Sequence, residues 1–148
     1  MITDSSIEID APAATVWAVF TDVARWPEMT PSVDRLTPLD GPAIEVGARF
    51  RIAQPRFPAL VWQVTEVEPG RSWIWVQRSP GGTTTAVHEV IAQGPARTLV
   101  RQRIDQRGPV GALVGRLTRR LTVRYLDQEA QGLKAASEAA HRRDGASA

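Results

Sequence analysis

Cysteine is absent from this 148-residue chain, which excludes disulfide bonds, thiolate metal sites and a cysteine nucleophile. Histidine is scarce: only His88 and His141 occur, and they lie far apart, which does not favour a zinc or haem site. The chain also lacks an HExxH, Walker-type, GxGxxG or GxSxG motif. We therefore expect neither a bound metal nor a cofactor.

Long apolar runs are missing as well, and none approaches the length of a membrane span. The first ten residues carry acidic side chains rather than a basic segment leading into a long apolar run, which is not typical of a secretory signal. With the absence of cysteine, these features predict a cytoplasmic protein without a transmembrane segment. The length favours a single domain, placed at residues 1–143, with a frayed tail at residues 144–148.

Lysine is nearly absent, because all 18 basic residues except Lys134 are arginine. The formal net charge is only +2, and the one marked basic cluster runs from Arg116 to Arg124. At helical spacing these arginines mostly avoid the apolar stripe of their segment, so we interpret them as a solvated helix face. The sequence therefore predicts no nucleic-acid partner.

The order of predicted elements indicates an α+β fold. Apolar and polar residues alternate in SIEIDAP, as in a strand, and apolar residues recur at helical spacing in PAATVWAVFTDVARW. Short breaks rich in proline and glycine separate six further predicted strands, near residues 32–39, 47–54, 58–68, 72–79, 83–93 and 97–107. Such short connections favour an antiparallel meander.

A single long helix is predicted from Pro109 to about His141. Its apolar stripe should bury Leu117, Leu121 and Leu133 against the concave face of the sheet. A twisted sheet around one helix does not close tightly everywhere, so an internal cavity is expected between them.

The segment DVARWPEMTP, residues 22–31, places large apolar side chains at a helix break. Pro27 is expected to end or kink the preceding helix. Trp26 and Met29 then have two possible roles: they seal one end of the core, or they line the mouth of a hollow.

This element order resembles the polyketide cyclase/dehydrase branch of the START-like (Bet v 1-like, SRPBCC) superfamily. The resemblance covers nearly the whole chain and includes DVARWPEMTP, VGARFRIAQPRFPALVWQVTEVEPGRSWIWV and YLDQEAQGLKAASE. It implies a helix-grip fold: a seven-stranded antiparallel sheet wrapped around a long C-terminal helix, with two short N-terminal helices and an internal apolar cavity. It also implies that Trp26 and Met29 lie near the entrance.

Strand alternation predicts which side chains face that cavity. The predicted ligand-binding residues combine apolar walls with a few polar groups, which is typical of small-molecule pockets: Trp26, Met29, Phe50, Gln54, Trp62, Trp75, His88, Gln102, Leu117, Leu121 and Tyr125. The alternative is a filled core in which the polar groups bond to one another or to the backbone.

His88 is the predicted acid/base if its pKa stays near neutral, with Tyr125 as its catalytic partner and Gln102 as an alternative for polarising a carbonyl. Glu66 is the first carboxylate expected to contact His88, and Glu129 could assist if it is buried.

Three functions are open to such a chain. The first is binding of a hydrophobic small molecule such as a lipid, quinone or polyketide. The second is a cyclase, aromatase or dehydratase reaction. The third is a protein-interaction module of the chaperone-activator type, which would need an exposed apolar patch. The chain is expected to be a monomer or a homodimer.

Overall fold

A computed structural model describes residues 1–147 and shows one seven-stranded antiparallel sheet with four α-helices. The spatial order of the strands is β1-β7-β6-β5-β4-β3-β2, so the last strand pairs with the first and the remaining pairs are sequential. The strand bounds are Ile2–Ile9 (β1), Arg35–Pro38 (β2), Arg49–Ala53 (β3), Leu60–Glu68 (β4), Ser72–Ser79 (β5), Gly82–Gly94 (β6) and Arg97–Arg107 (β7).

The two expected N-terminal helices are present as α1, Ala13–Thr21, and α2, Trp26–Met29, joined by a short 3₁₀ turn. The prediction that Pro27 ends or kinks the first helix is wrong. That helix ends at Thr21, and Pro27 lies in the first turn of α2, where a missing amide proton costs no helical hydrogen bond.

The predicted C-terminal helix is divided in two, α3 at Pro109–Leu117 and α4 at Arg119–Ser147. At Thr118 the backbone leaves helical geometry, and its hydroxyl donates to the Val114 carbonyl oxygen at 2.7 Å. The predicted end near His141 is also wrong, because α4 continues to Ser147. The expected tail at 144–148 includes Ala148, which lies outside the described residues.

The apolar stripe of the C-terminal segment is buried only in its later part. Leu133 is fully buried, Leu121 is half-buried, and Leu117 is 77% exposed. Burial of Leu117 was therefore predicted wrongly. The inward face of α3 is formed by Gly111 and Gly115 instead, because a Cβ on either would press against β6 or β7, and a close helix–sheet approach requires residues without one.

The core lies between the concave face of the sheet, α1, α2 and α4. Phe20 and Trp73 pack edge to face with ring centroids 4.6 Å apart, and Phe50 and Leu133 are fully buried. No helix among residues 1–147 is long and apolar enough to cross a membrane.

Candidate functional site

A cavity of about 370 Å³ lies between the sheet and the C-terminal helices. Strands β3 to β7 supply most of its wall, and the rest comes from α2, α3, α4 and the loops before β2 and after β3. One end of the cavity is buried and the other is exposed to solvent, and different residues line the two ends.

The buried end is aromatic. Trp26 is 2% exposed, and its indole nitrogen donates to the Phe20 carbonyl oxygen at 3.0 Å. Its ring lies 5.5 Å from Trp75, which in turn lies 6.0 Å from Trp62. The two roles left open by the sequence are thus resolved for Trp26, which seals the closed end and also forms part of the wall. It does not lie at the mouth.

The mouth lies at the opposite end, where the lining residues are exposed to solvent: Pro58, Ser79, Pro80, Val110 and Val114. It is therefore framed by the β3–β4 loop, the β5–β6 turn and α3, and not by the N-terminal helices.

His88 is 3% exposed and stacks on Trp73, with ring centroids 4.0 Å apart and planes within 9°. Its Nδ1 lies 3.2 Å from the Trp73 carbonyl oxygen, and because a carbonyl only accepts, Nδ1 must carry the proton. Burial lowers the pKa of His88 to about 3, although the bond to Trp73 opposes this. The ring is therefore neutral at pH 7, with Nε2 as a hydrogen-bond acceptor, and it is a poor proton shuttle.

The prediction that Glu66 contacts His88 is wrong. Glu66 is exposed, because the β4–β5 register shifts between Val64 and Glu66 and reverses the side on which the following residues point. Alternation alone does not show this bulge.

Glu129, on α4, is the carboxyl group that lines the cavity. Gln102 Nε2 donates to its Oε2 at 3.0 Å, and Ser32 Oγ donates to its Oε1 at 3.5 Å. Burial raises the pKa of Glu129 to about 7, and these two hydrogen bonds offset the effect only partly. Near neutral pH the group therefore exists in both protonation states, so it can either donate or accept a proton.

Glu129, Gln102 and His88 form a polar strip across the apolar wall. Gln102 on β7 and His88 on β6 are directly paired neighbours in the sheet, and both line the cavity. Glu129 joins this pair from the facing helix. A ligand in the cavity would meet a carboxyl group, an amide and a neutral imidazole in succession.

Tyr125 also lines the cavity, but its hydroxyl already donates to the Pro55 carbonyl oxygen. Its ring packs against Phe57 with centroids 6.0 Å apart. Burial raises the pKa of Tyr125, so the phenol stays protonated at neutral pH. The arrangement favours a role in tethering the β3–β4 loop at the mouth over the predicted catalytic one.

The structure brings most of the predicted ligand-binding residues to one cavity: Trp26, Gln54, Trp62, Trp75, His88, Gln102 and Tyr125. Four do not line it. Met29 borders an outer groove between α1, α2 and α4, Phe50 is buried in the core, Leu121 is half-buried and Leu117 points to solvent. Leu117 and Leu121 lie on either side of the break at Thr118, which was not predicted.

Ser32, which contacts Glu129 from outside the cavity lining, and Gln106, which lines the cavity, were not foreseen. Ser32 is fully buried in a turn closed by the Thr30 hydroxyl, and Gln106 has a buried side-chain oxygen without a hydrogen-bond partner among residues 1–147. Alternation along β7 places Gln106 on the face of Gln102, so sequence reasoning had the signal for it. Ser32 lies in a loop and carries no such signal.

Among residues 1–147, no group of histidine, aspartate or glutamate side chains could hold a metal ion. The arrangement suits an organic ligand with an apolar body and a small number of polar atoms.

A seven-stranded antiparallel sheet that encloses such a cavity together with a long C-terminal helix is the architecture of the START-like class of helix-grip proteins. The chain belongs to the family described as polyketide cyclase / dehydrase and lipid transport, which it matches over residues 2–138. No curated protein sequence matches it.

Solved structures show the same fold at low sequence identity. The Zhui aromatase/cyclase from Streptomyces sp. R1128 is 15% identical, with a TM-score of 0.69 over 97% of this chain and 94% of that one. A truncated norcoclaurine synthase from Thalictrum flavum is 13% identical, with a TM-score of 0.72 over 90% and 91%. A START superfamily protein from Mycobacterium smegmatis is 16% identical, with a TM-score of 0.68 over 90% and 97%. At these identities the likeness concerns the fold alone.

Proposed function

We propose that the protein binds one hydrophobic small molecule in this cavity, with a carbonyl or hydroxyl group of the ligand held at Glu129 and Gln102. The observation that carries the proposal is the placement of a single carboxyl group in an aromatic cavity of about 370 Å³, which is within the usual range for small-molecule sites of ~300–1,000 Å³. Family membership supports the same kind of ligand, since its description includes polyketide enzymes and lipid transport.

The polar atoms of the wall limit the ligand further. The ligand needs an apolar body for the aromatic wall and an oxygen atom for Glu129, which when partly protonated can donate to a carbonyl or accept from a hydroxyl. A lipid, quinone or polyketide-like molecule with oxygen atoms along an apolar body meets both demands. A pure hydrocarbon meets only the first demand, because it offers Glu129 no hydrogen-bond partner.

The test is a thermal-shift panel of fatty acids, quinones and aromatic polyketides on wild type and on two tryptophan variants. Ile104→Trp enlarges a side chain that lines the cavity, whereas Ile74→Trp enlarges a half-buried residue that does not. We expect ligands to raise the melting temperature of wild type and of Ile74→Trp, and to lose this effect in Ile104→Trp. Equal shifts in all three proteins would place binding outside the cavity.

Catalysis is a second candidate, and Glu129 is the observation that favours it. Cyclisation or dehydration of a β-keto chain needs a group that can take up and return a proton, and a pKa of about 7 suits that task better than the pKa of about 3 of His88. The test compares turnover of a poly-β-keto mimic by wild type, Glu129→Gln and His88→Gln at equal ligand occupancy. Loss of turnover only in Glu129→Gln supports this role, and absence of turnover by wild type leaves binding as the function.

A further inference from the structure

The outer face of α3 exposes a continuous row of aliphatic side chains. Val110, Leu113, Val114 and Leu117 follow the spacing i, i+3, i+4, i+7 and therefore lie on one side of the helix. Leu117 is 77% exposed and Leu113 is 57% exposed, and the side chains of both valines are also exposed to solvent. We call these four residues the α3 outer face. Contiguous exposed apolar surface of this kind marks an interaction site more often than chance.

The chain segment that carries this face is rich in positive charge. The segment from Gln106 to Leu126 contains five arginines and no carboxylate. Arg107 pairs with Asp105 at 2.7 Å, whereas the other four are exposed: Arg116, Arg119, Arg120 and Arg124. None of these four forms an ion pair with another residue of the described chain. The first carboxylate after the segment is the exposed Asp127.

A second element adds to the same charge. Tyr125 bonds to the backbone of Pro55 and so holds the β3–β4 loop against the start of α4. Arg56 in this loop is exposed, and its charge acts on Tyr125 together with that of Arg124, against the opposite charge of the exposed Asp34. Val123, 48% exposed, lies among the arginines of α4. Apolar and basic side chains thus lie side by side at this end of the molecule, where arginines outnumber carboxylates.

We propose that the α3 outer face and the arginines beside it dock the protein on an anionic lipid bilayer. Aliphatic side chains on a helix enter the headgroup boundary, and flanking arginines bind the lipid phosphates. Nucleic acid would explain the arginines but not the four aliphatic side chains. A symmetric second copy would explain the aliphatic side chains but would bring the unpaired arginines of both chains together.

The position of this surface gives docking a consequence. Val110 and Val114 belong to the α3 outer face and also line the mouth of the cavity. A docked bilayer would therefore lie directly beside the opening through which an apolar ligand enters or leaves. The docking itself rests only on surface residues, so it can be true or false independently of what the cavity binds.

The test is co-sedimentation of the whole protein, without added ligand, with vesicles of phosphatidylcholine alone or of equimolar phosphatidylcholine and phosphatidylglycerol. Two variants remove the parts of the surface separately: Leu113→Ser with Leu117→Ser, and Arg119→Gln with Arg120→Gln. Matched controls outside α3 and α4 are Val46→Ser, at a 66% exposed valine, and Arg35→Gln with Arg71→Gln, at two exposed arginines. Circular dichroism melts show whether each variant folds.

We expect wild type and both controls to bind the anionic vesicles, and to bind phosphatidylcholine vesicles far more weakly. Each arginine removed should weaken binding about fivefold, so the double arginine variant should bind about 25-fold more weakly. The double leucine variant should also lose at least tenfold. No binding of folded wild type to anionic vesicles overturns the proposal, as does unchanged binding of the folded leucine variant. Self-association through α3, or preferred binding to duplex DNA, would assign the surface to a different partner.

Discussion

At the scale of single residues, the chemistry of the cavity depends on how its few titratable groups are buried. Alternation along β6 and β7 placed His88 and Gln102 on the inner face correctly. It could not show that burial without a carboxylate partner leaves His88 neutral, because that depends on residues distant in sequence. It also placed Glu66 wrongly, because the bulge in β4 changes the register. Glu129 was recognised only conditionally, since helical periodicity predicts a face and not the depth of one carboxyl group.

Replacement of Glu129 by glutamine should change how stability depends on pH. In the folded protein the pKa of Glu129 is about 7 against an ordinary 4.5, so the unfolded chain loses this proton first as pH rises. Its contribution therefore lowers the free energy of unfolding progressively as pH rises from about 4.5 to 7, by ~3 kcal/mol in total, and this loss remains at higher pH. Glutamine cannot ionise and can still accept from Gln102. Glu129→Gln should gain free energy of unfolding relative to wild type at pH 8, and much less at pH 5.

Urea unfolding at both pH values measures this difference. Glu66→Gln makes the same chemical change at an exposed position and serves as the control, with a difference from wild type that should be the same at both pH values. If Glu129→Gln also differs from wild type by a constant amount, the carboxyl group is not buried as described.

At the scale of elements, the strands were the most predictable part of the fold. Those at 72–79 and 97–107 were predicted with the bounds that the structure has, because alternation and turn residues are local signals. The break between α3 and α4 was not predicted, since no proline or glycine marks Thr118. The break separates two kinds of packing, because α3 places its glycines against the sheet, whereas α4 places Leu133 in the core.

Contact between α2 and α4 depends on Gly132. A Cβ at this position would clash with the carbonyl group of Met29, so the backbone would have to move. Gly132→Ala should therefore lower the free energy of unfolding by about 2 kcal/mol, despite the better helix propensity of alanine. Gly145→Ala lies in the same helix with nothing within 4 Å and should be neutral or slightly stabilising. Thermal or urea unfolding that shows Gly132→Ala to be as stable as Gly145→Ala would contradict this packing.

At the scale of the whole molecule, the cavity lies where the helices do not pack directly against the concave face of the sheet. The α2 segment and α4 close one end around Trp26, whereas α3 lies against β6 and β7 and leaves the other end open. The helix-grip architecture could be expected from the order of elements and from the family resemblance. The orientation of the cavity could not, because the mouth is formed by residues from a loop, a turn and a helix that are distant in sequence.

The most direct test of the central claim is a crystal structure of the protein with a ligand chosen from the thermal-shift panel. The account predicts density for one molecule between Trp75 and Leu126, with an oxygen atom within hydrogen-bond distance of Glu129 or Gln102 and the apolar body extending toward Val114. A cavity filled only by water at saturating ligand, or a ligand bound on another surface, would contradict it.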